Sequence, residues 1–333
     1  MIKPVCGLFC AMLYAPVSLM FGVVLLVGAQ MAVAQNYPNK TIRIVVPYSP
    51  GTGYDSIARI VSPVLSQRLG QAVVIENIPG ASSTIGAGVV ARASPDGYTL
   101  LMIGEGTMAS GHLYKKLPFN PLTDFAPITL TGRGTLVLMT HSRSGIRSVV
   151  ELIAKAKTQP GLLTYSSPGV GTSQSLKMAL IEESAGIKMV HVPYKSSAGA
   201  LNDLVAGIVT AGLVPVHQGM TYVNSGNLVP LAVISPKRSA SAPEVPTLRE
   251  SGIQSVDADM WYAFVAPKNT PPNIVATLNL ELRRIISLPD IKTGLERIGL
   301  EVVTSTPTEL QNIMQQESDT AAMTITKNNI ALD

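Results

Sequence analysis

Residues 42–59 read Ile42-Arg43-Ile44-Val45-Val46-Pro47-Tyr48-Ser49-Pro50-Gly51-Thr52-Gly53-Tyr54-Asp55-Ser56-Ile57-Ala58-Arg59, a strand that passes through a proline and glycine turn directly into a helix. Such a loop sets backbone N–H groups at a helix N-terminus, where the first donors lack intrahelical acceptors and the macrodipole is positive. It is a receptor for anions. A second copy lies in mid-chain, where Tyr165-Ser166-Ser167-Pro168-Gly169-Val170-Gly171-Thr172-Ser173 echoes Tyr48-Ser49-Pro50-Gly51-Thr52-Gly53. Two such turns, widely separated in sequence, predict two lobes that face one ligand.

Outward from these turns, strand and helix signals alternate, which indicates α/β architecture with largely parallel sheets. The first strand, 41–46, leads to a helix with Ile57, Ile60, Val61, Val64, Leu65 and Leu69 on its apolar face, stopped by Gly70 and kinked by Pro63. A strand at 72–76, the turn 77–83, a short helix through Val90 and a strand at 98–103 follow. After a proline-rich connection at 117–127, a strand at 136–140 carries the chain into a second lobe. There the order repeats: helix 148–157, strand 163–166, the glycine loop, helix 174–185, strand 188–192 and helix 201–205, then strands 209–214 and 229–234. Trp261 to Ala266 reads as a buried strand returning to the first lobe. A helix through Ile274, Leu278, Leu282 and Ile285 comes next, and Thr306-Pro307-Thr308-Glu309 has capping-box spacing for a last helix to about Lys327. The expected lobes are 35–138 with 259–333, and 139–258, with a ligand cleft between them.

The N-terminus, with Lys3, an apolar stretch through Leu25, Leu26 and Val27, and Ala32-Val33-Ala34 ahead of Gln35, reads as a cleaved secretory signal over residues 1–34. Export follows from it. Both cysteines, Cys6 and Cys10, fall inside that segment, so the mature chain has no disulfide and no cysteine metal site. Of the 333 residues, 46% are hydrophobic and 14% charged, enough for a substantial core. The net charge of +4 is spread without basic runs, which argues against a nucleic acid partner.

The loop Gly51-Thr52-Gly53-Tyr54-Asp55-Ser56 is one glycine short of a dinucleotide fingerprint, although Glu76 ends the second strand where a ribose-binding acid would sit. Prolines in the turn and the export signal count against that site. There is no Gly-x-Ser-x-Gly elbow, no His-Glu-x-x-His helix and no Gly-x-x-x-x-Gly-Lys loop, and His112, His141, His191 and His217 have no metal-ligand spacing. Ser173 and His191 could converge as a nucleophile and base, but a loop serine that caps a helix is the commoner arrangement. Asp55 either sits at a helix N-terminus for the dipole or orients the loop.

A receptor needs only donors held in place. The N–H groups of Gly51, Thr52, Gly53, Gly169, Val170 and Gly171, with the hydroxyls of Thr52, Thr172 and Ser173, supply them. At about 1.5–3 kcal/mol for each charge-assisted bond, four or five such bonds less the cost of closure give micromolar or tighter binding of a carboxylate.

Taken together, Val46-Pro47-Tyr48-Ser49-Pro50-Gly51 with Asp55 and Ala58-Arg59, Gly70-Gln71 through Glu76-Asn77, Pro79-Gly80-Ala81 and Pro95-Asp96-Gly97-Tyr98-Thr99-Leu100 resemble a known family. The match continues through Pro121-Leu122-Thr123-Asp124-Phe125, His191-Val192-Pro193-Tyr194-Lys195, Pro236-Lys237-Arg238-Ser239, Val245-Pro246-Thr247 and Trp261, and so covers nearly the whole mature chain. The family is the Bug-type solute-binding proteins of tripartite tricarboxylate transporters. The resemblance implies an α/β, two-lobed, type II-like periplasmic binding protein fold that closes like a Venus flytrap on a small organic carboxylate. It implies delivery to inner-membrane permease subunits by a monomer that is no enzyme and uses no cofactor or metal; the alternatives are an exported carboxylate-processing enzyme or a sensor that serves a membrane signalling partner. At matching positions, the ligand carboxylate falls to Tyr48, Pro50, Gly51, Thr52, Gly53 and Asp55 and to Gly80, Ala81 and Ser82. Glu105, Gly106 and Thr107 border the cleft. The opposite lobe contributes Ser167, Gly169, Val170, Gly171, Thr172 and Ser173, with Ser196, Ala198 and Val214.

Three positions depart from the family pattern. Ser175 stands where a histidine is common, and Thr210 and Val214 stand where acids are common, which removes counter-ions for an ammonium group. The expected ligand is therefore a carboxylate without an amino group, its apolar or aromatic body against Leu213, Val214 and Pro215. Glu105 is unfavourable beside an anion unless it is protonated, hydrated or turned outward.

Overall fold

Strands rich in Ile, Val and Leu build two separate sheets, and the sharp glycine turns at their C-terminal ends decide where helices begin. The computed structural model describes residues 37–254 and 259–330. The expected signal segment, its cleavage site near Gln35 and the return crossing at 255–258 lie outside the described residues. From Lys40 onward the chain forms one unit.

In chain order the elements are β1 (Ile42–Val46), α1 (Gly53–Leu69), β2 (Val73–Asn77), α2 (Thr84–Ala91), β3 (Thr99–Ile103), α3 (Glu105–Leu113), β4 (Phe125–Gly134) and β5 (Leu136–His141). They continue as α4 (Val149–Thr158), β6 (Thr164–Ser167), α5 (Ser173–Ala185), β7 (Val190–Pro193), α6 (Ser197–Ala206), β8 (Ala211–Pro215), α7 (Val216–Asn224) and β9 (Leu228–Ile234). The last are β10 (Met260–Pro267), α8 (Pro272–Ile286), α9 (Pro289–Arg297), β11 (Leu300–Glu301) and α10 (Pro307–Lys327).

The first sheet has the order β11-β4-β10-β3-β1-β2 and the second β7-β6-β8-β5-β9. Each glycine-loop strand lies between two parallel neighbours: β1 between β2 and β3, β6 between β7 and β8. Three C-terminal strand ends therefore converge in each sheet, the place where open α/β sheets bind ligands. The sheets are more mixed than expected. Four pairings are parallel and five antiparallel among the described residues, because β10 returns between β3 and β4 while β5 runs against β8 and β9. All eight residues of β10 are buried, as a central strand demands.

Five elements were not foreseen from sequence: α3, β4, α7, α9 and the two-residue β11. Gly106 and Gly111 weaken α3 as a local helix signal, but Glu105 through Ser110 are all buried, and tertiary packing overrides propensity. The expected proline-rich connection at 117–127 overlaps only the first three residues of β4, which contains one proline. Pro127 is accommodated where the register with β10 shifts between Phe264 and Val265, since an irregularity tolerates a residue with no N–H. α1 runs unbroken through Pro63, whose ring is exposed. The capping box at Thr306 and Glu309 forms as its spacing foretold.

One apolar core joins Val45, Leu101, Phe125, Trp261, Leu310 and Met314 beneath the first sheet, and another joins Val137, Met139, Leu204, Val214 and Val233 in the second. A third group, Ala109 and Leu113 of α3, Leu176 of α5, and Ala321 and Ile325 of α10, packs the two sheet systems against each other.

Candidate functional site

The first glycine loop is held by its own acid. Asp55 is 3% exposed; its Oδ2 accepts from Gly51 N and Arg59 Nε, both at 2.9 Å, and its Oδ1 from Asn77 Nδ2 at 3.0 Å. Asn77 also donates to Tyr48 O at 3.1 Å, and Thr52 Oγ1 to Ser49 O at 3.1 Å. Burial alone would raise the Asp55 pKa, but the bonds from Arg59, Gly51 and Asn77 outweigh it and hold the carboxyl below its ordinary value. Gly51 N and the Thr52 hydroxyl are thus consumed inside the loop. No side chain caps α1, which leaves the first-turn N–H groups of Gly53, Tyr54 and Asp55 as its open donors.

The second loop is backbone-strained. Gly80 is followed by Ala81, Ser82 and Ser83 with φ of 43, 51 and 80°, three consecutive non-glycine residues in the left-handed region. Ser83 Oγ lies 3.1 Å from Thr107 Oγ1, both buried, and Ser82 Oγ donates to Val170 O at 2.7 Å. That last bond joins the loop after β2 to the loop after β6 and so spans the two sheets.

In the opposite lobe, Ser167 Oγ accepts from Gly169 N at 3.1 Å and pairs with His191 Nε2 at 2.7 Å, while Tyr165 stacks on the same ring. Thr172 Oγ1 donates to Gly169 O at 2.7 Å, and its side chain caps α5; Ser196 caps α6 through Gly199 N. Ser173 and His191 do not converge, as the commoner reading held, since His191 partners Ser167; the cap itself comes from Thr172. Ser173 Oγ is instead buried without a hydrogen-bond partner at the N-terminus of α5. A Cβ at Gly171, whose φ is +81°, would overlap Leu113 of α3, so this loop requires glycine for its close approach to the first lobe.

Between these loops lies an ion pair that sequence reading did not find. Lys177 Nζ of α5 meets Glu105 Oε1 of α3 at 3.1 Å, with side chains 7% and 3% exposed. Desolvation pushes the Glu105 pKa up to about 7; the Lys177 charge opposes this, Glu317 adds to it, and the nearby Ser173 hydroxyl lowers it slightly without a hydrogen bond of proper geometry. Glu317 Oε2 accepts from Trp261 Nε1 at 3.2 Å. Tyr48 stacks on Tyr54 at 4.2 Å, and Tyr54 meets Tyr262 edge-on at 4.7 Å. Burial raises all three phenol pKa values, so these hydroxyls stay protonated as donors.

The structure brings together the loops of Tyr48 to Asp55, Gly80 to Ser82, Glu105 to Thr107 and Ser167 to Ser173. Ala198 stays exposed on the first turn of α6, and Val214 is buried at the end of β8 beside a small cavity. Thr210 needs correction as a ligand determinant. Its hydroxyl accepts from Thr164 N at 3.2 Å at the start of β6 and β8, the sheet edge opposite the glycine loops, so an acid there could not face the cleft. Lys177 had a legible signal: it lies four residues after Ser173, on the same face of α5.

This architecture, two α/β lobes joined by crossing strands with glycine loops at the C-terminal strand ends, defines a periplasmic binding protein fold. A model described as the tripartite tricarboxylate transporter family receptor matches residues 57–330, and the chain belongs to that family. A relative from Pseudomonas sp. (strain P51), "UPF0065 protein in tcbD-tcbE intergenic region", is 34% identical over 284 residues, 85% of this chain and 84% of its own length. The solved periplasmic binding protein BugD superposes with a TM-score of 0.81 at 30% identity, covering 89% of this chain and 99% of its own. R. palustris Rpa4515, solved with adipate, gives a TM-score of 0.83 at 29% identity with the same coverage.

Proposed function

We propose that this chain is an exported, periplasmic, monomeric receptor that binds a small organic carboxylate between its lobes and delivers it to the inner-membrane subunits of a tripartite transporter. Among the described residues one lobe takes in 40–134 with 259–330 and the other 136–254; the pairing of Leu136 with Pro215 supports a first crossing at Gly134–Leu136, ahead of the boundary expected at 138. The observation that carries the reading is the loop pair bridged by Ser82 and Val170. It ties the two lobes together beside their glycine loops, and the open N-terminus of α1 and the unpartnered Ser173 hydroxyl at the N-terminus of α5 supply donors that suit a carboxylate held between them. Carboxylate as the ligand class is consistent with the adipate of the Rpa4515 structure.

No catalytic step is needed. The Ser167 and His191 pair keeps the glycine loop in shape, with Ser167 Oγ already engaged by Gly169 N, and the receptor returns its ligand unchanged. Ligand that binds only the folded state raises Tm by mass action, about 2.7 kcal/mol at a hundredfold excess over Kd. A thermal-shift screen of carboxylates, amino acids, sugars and metals tests this. Stabilisation by plain carboxylates is expected, with recovery of intact ligand after denaturation. Stabilisation by sugars or metals alone would overturn the reading, and binding of amino acids but not plain carboxylates would overturn the absence of an ammonium partner.

A further inference from the structure

Lys177 is the only lysine or arginine among the buried residues described, and it is already neutralised within the cleft. Its partner Glu105 comes from the opposite sheet system, directly after the central strand β3. Glu317 adds a second negative charge toward Glu105, so the surroundings of this lysine have no positive charge to spare. A small cavity in the second lobe is lined by Leu201, Leu213, Val214 and Pro215 with the neutral polar groups of Ser166, Gln174, Ser197 and Gln218, and by no charged side chain. A carboxylate placed there would be stripped of water and meet no counter-ion.

We propose that Glu105 is a charge filter: by occupying Lys177, it restricts this receptor to ligands with a single carboxylate and a neutral far end. The inference rests on the receptor reading above and deepens it. The ligand's one carboxylate is held by N–H and hydroxyl donors, which need no cation. Its body extends toward Leu213 and Val214. A second carboxylate adds repulsion from Glu105 and Glu317 that the lone lysine cannot offset.

Adipate, the ligand of a solved relative, is the decisive probe. Calorimetric titration at pH 8 compares hexanoate with adipate and butyrate with succinate, pairs of equal chain length that differ in one charge. The intact protein should bind the monocarboxylate of each pair at least tenfold more tightly. Glu105→Gln should cut that preference at least tenfold, mainly through tighter dicarboxylate binding, because Lys177 is then free. Adding Lys177→Met to Glu105→Gln should restore the monocarboxylate preference. Equal or tighter binding of the dicarboxylates by the intact protein overturns the filter and leaves the receptor reading standing, even if neither variant folds. If the pair were only a latch between lobes, Glu105→Gln would change both affinities of a pair by one factor, which also overturns the filter. Binding of no carboxylate of either kind would remove the receptor reading and the filter together.

Discussion

Two buried acids in this cleft have opposite fates, set by what surrounds them. Asp55 is bonded by Arg59, Gly51 and Asn77 and kept below its ordinary pKa, so its contribution to stability is present above the unfolded value near 3.9 and lost as pH falls through the folded one. Asp55→Ala should cost about 1–3 kcal/mol in urea unfolding and weaken ligand binding about tenfold, although Asp55 touches no ligand in the proposed site. Unchanged affinity would show that the loop keeps its shape without the acid. Glu105 is raised to about 7, so its contribution is full below the unfolded pKa and declines as pH rises through 7. It faces Lys177 and Ser173 of α5, Glu317 of α10 and the neutral phenols of Tyr48, Tyr54 and Tyr262. Lowering pH from 8 to 6 should therefore tighten adipate binding several-fold more than hexanoate binding, and Glu105→Gln should flatten that difference. The role of Asp55 was half legible in sequence, since an acid in the first helical turn has few tasks. The pairing of Glu105 with Lys177 was not, because the two residues lie 72 apart in sequence and their contact depends on how two sheets close on each other.

Elements that announce themselves locally were found from sequence, and those made by packing were not. The capping box of α10 is a four-residue signal, and Thr306→Ala should destabilise the protein by about 0.5–2 kcal/mol, read as a fall in Tm. α3 had no such signal. Its helix exists because buried Met108, Ala109 and Leu113 need a surface to cover, and it presents Glu105 and Thr107 as a by-product of that burial. The same holds for β4, whose Pro127 suggests a loop until β10 supplies an irregular partner. Gly171→Val tests the fit between elements. A side chain there meets Leu113 as well as an unfavourable φ, so closure of the lobes should be impaired and the radius of gyration in small-angle scattering should exceed that of the unaltered protein. An unchanged radius would mean that α3 yields to it.

For the molecule as a whole, the echo of two glycine turns was enough to read two lobes, because each turn marks the centre of a parallel trio of strands. The chain's route through those lobes was harder to foresee in detail, as the balance of antiparallel pairings shows. That route has its own consequence. β10 fills the gap between β3 and β4, so the first sheet stays split until residues 260–267 arrive, whereas every strand of the second sheet lies within 136–234. Non-local pairing of this kind slows folding, since chain closure must precede the contacts that reward it. Pulsed hydrogen exchange during refolding should protect β5, β6 and β8 before β1 and β3. Until its C-terminal third is present, the chain therefore holds a complete second sheet beside a first one whose β3 and β4 edges lack β10, so a prematurely ended product carries bare strand edges that invite aggregation.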